Sequence, residues 1–362
     1  MLKFAKISLM IVLLMASGGN AVAGNDMLVK KNAAVKFVAL PAGVVFPEGI
    51  AADPDSGDIY VGTFDFGGNN KILRFGKNGK LKAQKDYAGE PLLGLAYNTQ
   101  DNKVYICNPA ALVGGQSRIQ RIAADFNETT PVEEVAVIPG VGAPPGRVVG
   151  NPDGSQDLIE FGNNAAAPNA LAFDSAGNLF VSDSFQGAIF RIDDAGNCSS
   201  CPVATVKHDG LLATAGFPPF GANGIALSGD EAVLYVSNTG DDRILMLDLD
   251  TGGLEVFAES INGADGIELD KTGHLWVAAN QADQILVLDE DGLVIAKLGE
   301  FLGLRSDGSA RGLLFPASIV IQGNWMFITN LSLPLTPAAG DEPEENISKF
   351  TISRIKIPGN LD

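Results

Sequence analysis

Four oxygen-bearing side chains recur at one position of a repeated unit: Glu48, Asn169, Asn223 and Asp265. Each precedes a small residue and a short apolar run, as in Asn223-Gly224-Ile225-Ala226-Leu227. Two carboxylates and two amide carbonyls suit a hard divalent cation, and calcium accepts mixed oxygen ligands of this kind at flexible geometry. Their two negative charges balance a 2+ ion. No cysteine or histidine shares the position, which disfavours zinc and copper. Asn-Gly and Asp-Gly taken singly are also turn signals, so the chemical reading rests on the shared register.

The elements that must position these groups come from the repeat. A short first strand, a turn and a second strand recur at Glu48–Val61, Leu93–Ile106, Asn169–Val181, Ala222–Asn238, Asp265–Val277 and, more weakly, Ala317–Ile328. Six copies at intervals of roughly 40 to 75 residues, each holding several short strands, predict a β-propeller. Third strands are expected at Arg118–Ile122, Ala188–Ile192, Arg243–Leu247, Gln284–Leu288 and Phe350–Ile355. Fourth strands are expected at Glu133–Ile138, Pro202–Val206, Leu254–Phe257 and Val294–Leu298. The fold class is thus all-β, a six-bladed propeller, with Val35–Leu40 closing the last blade. The first strands of a propeller line its channel. The six positions Glu48, Leu93, Asn169, Asn223, Asp265 and Ala317 therefore converge at the channel mouth.

If the first strands run from top to bottom, the second-to-third loops and the links between blades lie on top. The long insertions Pro139–Pro168, His208–Phe220, Leu302–Leu314 and Leu331–Asn346 fall there, Pro139–Pro168 rich in Gly and Pro with no clear strand. Long irregular segments in a compact domain suit walls or a lid over a pocket. Arg147 and Arg311, on these insertions, are candidates to orient an anionic substrate, and His208 is a candidate base or substrate contact. Asp183 ends a second strand and is a further substrate-side candidate, with Asn108, Asn238 and Asn330 near the same position. His274 falls in a bottom turn and is expected to be structural.

Residues 1–23 read as a signal peptide, with Lys3 and Lys6, the apolar run Ile7–Met15 and the small-x-small site Ala21-Val22-Ala23. Residues 24–362 are then one propeller domain, exported to periplasm or medium. The formal charge is −18, which argues against nucleic acid and anionic membrane as partners. The expected partner is a small molecule, with no membrane association after signal removal, and the protein is expected to be a monomer. Cys198 and Cys201 form a lone Cys-x-x-Cys, for which a local disulfide suits an oxidising compartment. Cys107 ends an apolar strand and reads as a core residue.

The ordered set of Glu-Gly, Asn-Gly and Asp-Gly motifs on six repeats resembles the regucalcin/gluconolactonase family of calcium-dependent six-bladed propellers, over about Val35 to Ile357. The resemblance implies Glu48, Asn223 and Asp265 as metal ligands. It implies Asn169 as a further group approaching the metal or the substrate. It also implies Asp265 as the catalytic base and a lactone or related ester as substrate. The chain departs from the sugar-acting members at Ala167, where they carry an Arg, and Asn169 is followed by Ala170 rather than Gly. The alternative function is a non-catalytic exported propeller with a structural metal in the channel, binding a ligand or protein through its top loops.

Overall fold

The apolar runs that follow each turn are strands buried on both faces. Ile59–Thr63, Leu179–Asp183 and Leu275–Ala279 are buried at every residue, as expected of a strand with a neighbour on each side and a blade above and below it. A computed structural model describes residues 27–359 and Leu361. The signal-peptide segment lies outside the described residues.

Six four-stranded antiparallel blades follow in chain order. Blade 1 is Pro47–Ala52, Ile59–Thr63, Lys71–Phe75 and Leu81–Asp86. Blade 2 is Leu95–Asn98, Lys103–Asn108, Arg118–Ala123 and Glu133–Val137. Blade 3 is Pro168–Phe173, Leu179–Asp183, Ala188–Ile192 and Ala204–His208. Blade 4 is Ala222–Leu227, Val233–Asn238, Arg243–Asp248 and Leu254–Glu259. Blade 5 is Ala264–Leu269, Leu275–Ala279, Gln284–Leu288 and Val294–Leu298. Blade 6 is Pro316–Gln322, Trp325–Asn330 and Thr351–Lys356, completed by Ala34–Ala39. That N-terminal strand pairs antiparallel with Thr351–Lys356, so hydrogen bonds close the ring between the two ends of the fold. The six first strands touch one another in a closed circle and line the channel.

Large side chains fill the wedges between blades. Trp276 packs with Ile319, Ile328 and Ile355 between blades 5 and 6. Tyr60, Ile106 and Phe126 fill the wedge between blades 1 and 2. Each fully buried side chain of this size contributes about 1.5–3 kcal/mol, which fixes the blade spacing that the channel depends on. Cys198 and Cys201 are joined in a disulfide, and the Cys201 N–H donates to the Val135 carbonyl at 2.8 Å, tying blade 3 to blade 2.

Three expectations change. The Pro139–Pro168 insertion contains a hairpin, Arg147–Gly150 against Gln156–Ile159, turned by Asn151-Pro152-Asp153-Gly154, whose Gly154 takes a positive φ. The Leu302–Leu314 insertion contains another, Phe301–Leu304 against Ala310–Gly312. A short strand, Leu28–Lys30, adds in parallel to the outer edge of blade 5. None of these has the in-out apolar alternation of a core strand, so periodicity did not reveal them.

A candidate metal centre at the channel mouth

The glycines after Glu48, Leu93, Asn223 and Asp265 are needed for contact between blades, not for a turn. A Cβ on Gly49 would collide with the Leu93 carbonyl, one on Gly94 with the Asn169 carbonyl, and one on Gly224 with the Asp265 carbonyl. Only glycine lets neighbouring first strands approach so closely. The ring residues are drawn together by this approach. Glu48, Asn169, Asn223 and Asp265 all line one small cavity at the top of the channel, beside Leu93. All four are nearly fully buried.

A second set of side chains aims them. The second strands of blades 3 and 4 end in Ser182-Asp183-Ser184 and Ser237-Asn238-Thr239. The Asn169 amide nitrogen donates to Ser184 Oγ at 2.8 Å, and that hydroxyl donates to the Ala222 carbonyl at 2.7 Å. The Asn223 amide nitrogen donates to Thr239 Oγ1 at 2.9 Å, and that hydroxyl donates to the Ala264 carbonyl at 2.7 Å. Because each hydroxyl proton is committed to the next blade, a flipped amide would face a lone pair. Both amides are thereby turned with nitrogen on the hydroxyl and oxygen free for the cavity. Asn280, just after the second strand of blade 5, donates to Asp265 Oδ2 at 3.0 Å.

The backbone of the ring is clamped in the same way, one blade to the next. Ser182 Oγ donates to the Asn223 carbonyl at 2.5 Å, Ser237 Oγ to the Asp265 carbonyl at 2.5 Å, and Thr329 Oγ1 to the Glu48 carbonyl at 2.8 Å. The Asn169 carbonyl accepts from the Gly94 N–H at 2.6 Å. Where the next ring position is apolar, the clamp is absent: Gly62 precedes Leu93 and Ala278 precedes Ala317.

Two carboxylate oxygens are left over. Glu48 Oε2 and Asp265 Oδ1 are buried without a hydrogen-bond partner. Such groups are costly in a native interior. Burial pushes the Asp265 carboxyl up to about 7, against the hydrogen bond from Asn280. Burial, then the charge of Asp265, holds Glu48 well above the usual carboxylate range. A divalent cation would remove both penalties at once. The donor set, two carboxylates and two amide oxygens, fits a hard ion. No cluster of three His, Cys, Asp or Glu side chains suited to a metal occurs among the described residues, so the amides are essential to this reading. The cavity offers about 40 Å³ of space open to water, room for an ion and at most a few waters.

The remaining candidates are not brought to the cavity. Asp183 is fully buried, but its oxygens accept from the Phe185 and Gln186 N–H groups, the Ala167 N–H and the Gln186 side chain. It staples the loop after its strand instead of meeting a substrate. Asn238 and Asn330 do the same for their loops, and Asn108 turns to Glu90 and Gln120. The reason is the pleat: these positions alternate with the clamp residues on either side. His208 ends the outermost strand of blade 3, is exposed, and meets the Gly142 carbonyl at 3.1 Å. Arg147 lies on the inserted hairpin, exposed, with its guanidinium 5.6 Å from the Phe161 ring centre. Arg311 is exposed on the other hairpin. His274 sits in its bottom turn against Thr272 and Asp270, and Cys107 is buried and free.

Sequence reasoning missed Ser182, Ser184, Ser237, Thr239, Asn280 and Thr329. Their signal was the small polar residues ending the second strands. It becomes meaningful only when the blade register shows which neighbour each one faces. It also missed the other wall of the cavity, made by Phe64, Phe220, Phe315, Leu331, Leu333 and Leu335. Phe315 takes a φ of 46°, strained for a bulky side chain by roughly 1–3 kcal/mol. Its N–H is held by Asp283 at 2.8 Å and its carbonyl by the Leu331 N–H at 3.0 Å.

Comparison with known proteins agrees with this architecture. Residues 202–299 match the family described as the SMP-30/Gluconolactonase/LRE-like region. Lactonase drp35 of Staphylococcus aureus (strain USA300) is 30% identical over 158 residues, 41% of this chain and 46% of the relative. The chain thus matches about half the length of that curated relative. Among solved structures, the calcium-binding protein regucalcin from Agrobacterium tumefaciens superposes with a TM-score of 0.62 at 16% identity, covering 91% of this chain and 95% of that one. A gluconolactonase from Xanthomonas campestris superposes with a TM-score of 0.54 at 16% identity, covering 90% and 89%. The chain has the six-bladed β-propeller fold of these structures, and its residues 202–299 match the SMP-30/Gluconolactonase/LRE-like region.

Proposed function

We propose that this protein is an exported, calcium-dependent hydrolase of lactones or related esters. The observation that carries the reading is the pair of buried, unpartnered oxygens, Glu48 Oε2 and Asp265 Oδ1, facing the same cavity as the Asn169 and Asn223 side chains. Glu48, Asn169, Asn223 and Asp265 would hold the ion. When bound, calcium would polarise a substrate carbonyl and acidify a water. Asn280 fixes the Asp265 carboxylate by its Oδ2, which leaves Oδ1 as the atom that takes the proton of an attacking water. The aromatic and leucine wall limits competing water.

Export rests on the Lys3–Ala23 segment and agrees with the Cys198–Cys201 disulfide, which persists in oxidising compartments. No helix among the described residues is long and apolar enough to cross a membrane. The charge of −18 agrees with a small-molecule partner instead of nucleic acid or an anionic membrane surface, and the protein is proposed to act as a monomer. N-terminal sequencing of the protein recovered outside the cytoplasm is expected to begin at Gly24.

Calorimetric calcium titration of the metal-stripped protein tests the centre. One site is expected in the unaltered chain and none in Asp265→Ala. Absence of binding in the unaltered chain overturns the hydrolase reading.

A further inference from the structure

The cavity around the oxygen ring is poorly suited to a charged or hydroxyl-rich substrate. Its lining contains no Lys, Arg or His. The amide nitrogens of Asn169 and Asn223 are turned onto Ser184 and Thr239, whose own protons go to backbone carbonyls. The rest of the lining is chiefly Phe and Leu. It continues outward as an aromatic strip. Phe64 packs edge-on against Phe66, with ring centres 4.8 Å apart, and against Phe220 at 6.4 Å. Phe66 is 59% exposed, and so is Phe217, next to the cavity residue Pro218. An exposed aromatic strip running into a buried polar centre is an apolar binding track.

We propose that the substrates are uncharged lactones or esters carrying an apolar substituent. Their carbonyl would sit at the oxygen ring and their substituent along Phe64, Phe66 and Phe220. The proposal rests on the hydrolase reading above and names its substrate class. Each hydroxyl of a sugar lactone would lose its water opposite Phe or Leu without a partner, at a cost of about tenfold in binding or more. Each buried methylene of an alkyl substituent gains roughly fourfold. In the reaction, water adds to the carbonyl carbon, the ring C–O bond breaks and the ring oxygen takes up a proton. The product is a hydroxy acid, and no redox partner is needed.

The test uses the calcium-loaded protein and a series of γ-lactones with alkyl substituents from methyl to hexyl, beside a polyhydroxylated sugar δ-lactone. The expected result is a kcat/KM that rises about threefold or more per methylene and exceeds that of the sugar lactone by at least about 100-fold. In Phe66→Ser, at the exposed end of the aromatic strip, the preference for hexyl over methyl is expected to fall about tenfold, with calcium titration checking that the variant folds. A flat chain-length series, or a preference for the sugar lactone, overturns the apolar substrate class and leaves the hydrolase reading standing. If no lactone is turned over, calorimetry with 2-alkylcyclopentanones decides. Affinity that rises with chain length supports the apolar track while the hydrolase reading falls, and no binding overturns both.

Discussion

The channel mouth has two unlike halves built on one backbone plan. In blades 3, 4 and 5 the ring residue is Asn169, Asn223 or Asp265, and the residue just past the second strand is Ser184, Thr239 or Asn280. In blades 6, 1 and 2 the ring residue is Ala317, Glu48 or Leu93, and the matching residue is Leu331, Phe64 or Pro109. Five blades share one pairing, with a register shift after the first paired residue, and blade 2 pairs over a shorter first strand without that shift. The halves differ chiefly in two side chains per blade, one at the ring and one just past the second strand. Glu48 is the exception that explains the electrostatics. It is a polar ring residue in the apolar half, with Phe64 where blades 3, 4 and 5 place a hydrogen-bonding group. Thr329 holds its backbone carbonyl, but no side chain holds Oε2, and burial is the first cause of its raised pKa. A repeat fold thus keeps its geometry sixfold while varying chemistry blade by blade.

The comparison breaks outright if Asp265 is dispensable. Asp265→Ala is expected to abolish calcium binding by calorimetry and to lower lactone turnover by roughly 10²–10⁴-fold, as for loss of a positioned acid–base group. Turnover without calcium binding would separate the catalytic centre from the ring.

The next effect sets the two halves against each other. Thr239→Val removes the hydroxyl that turns Asn223 and is expected to weaken calcium about 10–100-fold, as loss of an outer-shell partner does. Leu333→Ala, on the apolar side, is expected to leave calcium affinity within about twofold. Equal losses in both variants would mean that the halves are not functionally distinct.

The electrostatic asymmetry has a pH signature. Asp265 is raised to about 7 in the fold from roughly 3.9 when unfolded. The metal-free native state therefore binds more protons than the unfolded state, and its stability falls as pH rises between about 4 and 7. Glu48 shifts in the same direction. Thermal melts of metal-free protein are expected to show this loss, on the order of 2–4 kcal/mol. Asp265→Asn should make the profile shallower, with Glu48, Glu268 and Asp283 still contributing, and saturating calcium should reverse the part that belongs to the ring. A metal-free protein that gains stability over that range would contradict the burial argument.

The smallest effects are expected outside the mouth. His208→Ala and Arg147→Ala remove exposed side chains that meet the inserted loop and Phe161. Both variants should keep calcium affinity within about twofold and stability within about 0.5 kcal/mol. A large loss of turnover in either would bring the insertions back to the site.

The ring was legible because each blade is a separate copy of one sequence frame. Glu48, Asn169, Asn223 and Asp265 share a register that survives without any tertiary information. Asp183 was misleading for a physical reason. Its position alternates with Ser182 and Ser184, and nothing local says which face of the pleat meets the channel. Arg147, Arg311 and His208 were placed by their presence on top insertions. An insertion on the correct face can still fold outward, as the hairpin Arg147–Gly150 with Gln156–Ile159 does.

The sequence alone determined the number of blades, the strand that closes them and the four oxygens at the mouth, because period-two patterning and repeat register are local properties. Only the tertiary structure decided which way those oxygens point, which carboxylate is left without a partner and which side chains form the wall. Each of these depends on hydroxyl clamps and aromatic contacts between residues far apart in the chain, such as Thr329 on Glu48 and Phe64 on Phe220. No window of sequence contains both members of such a pair.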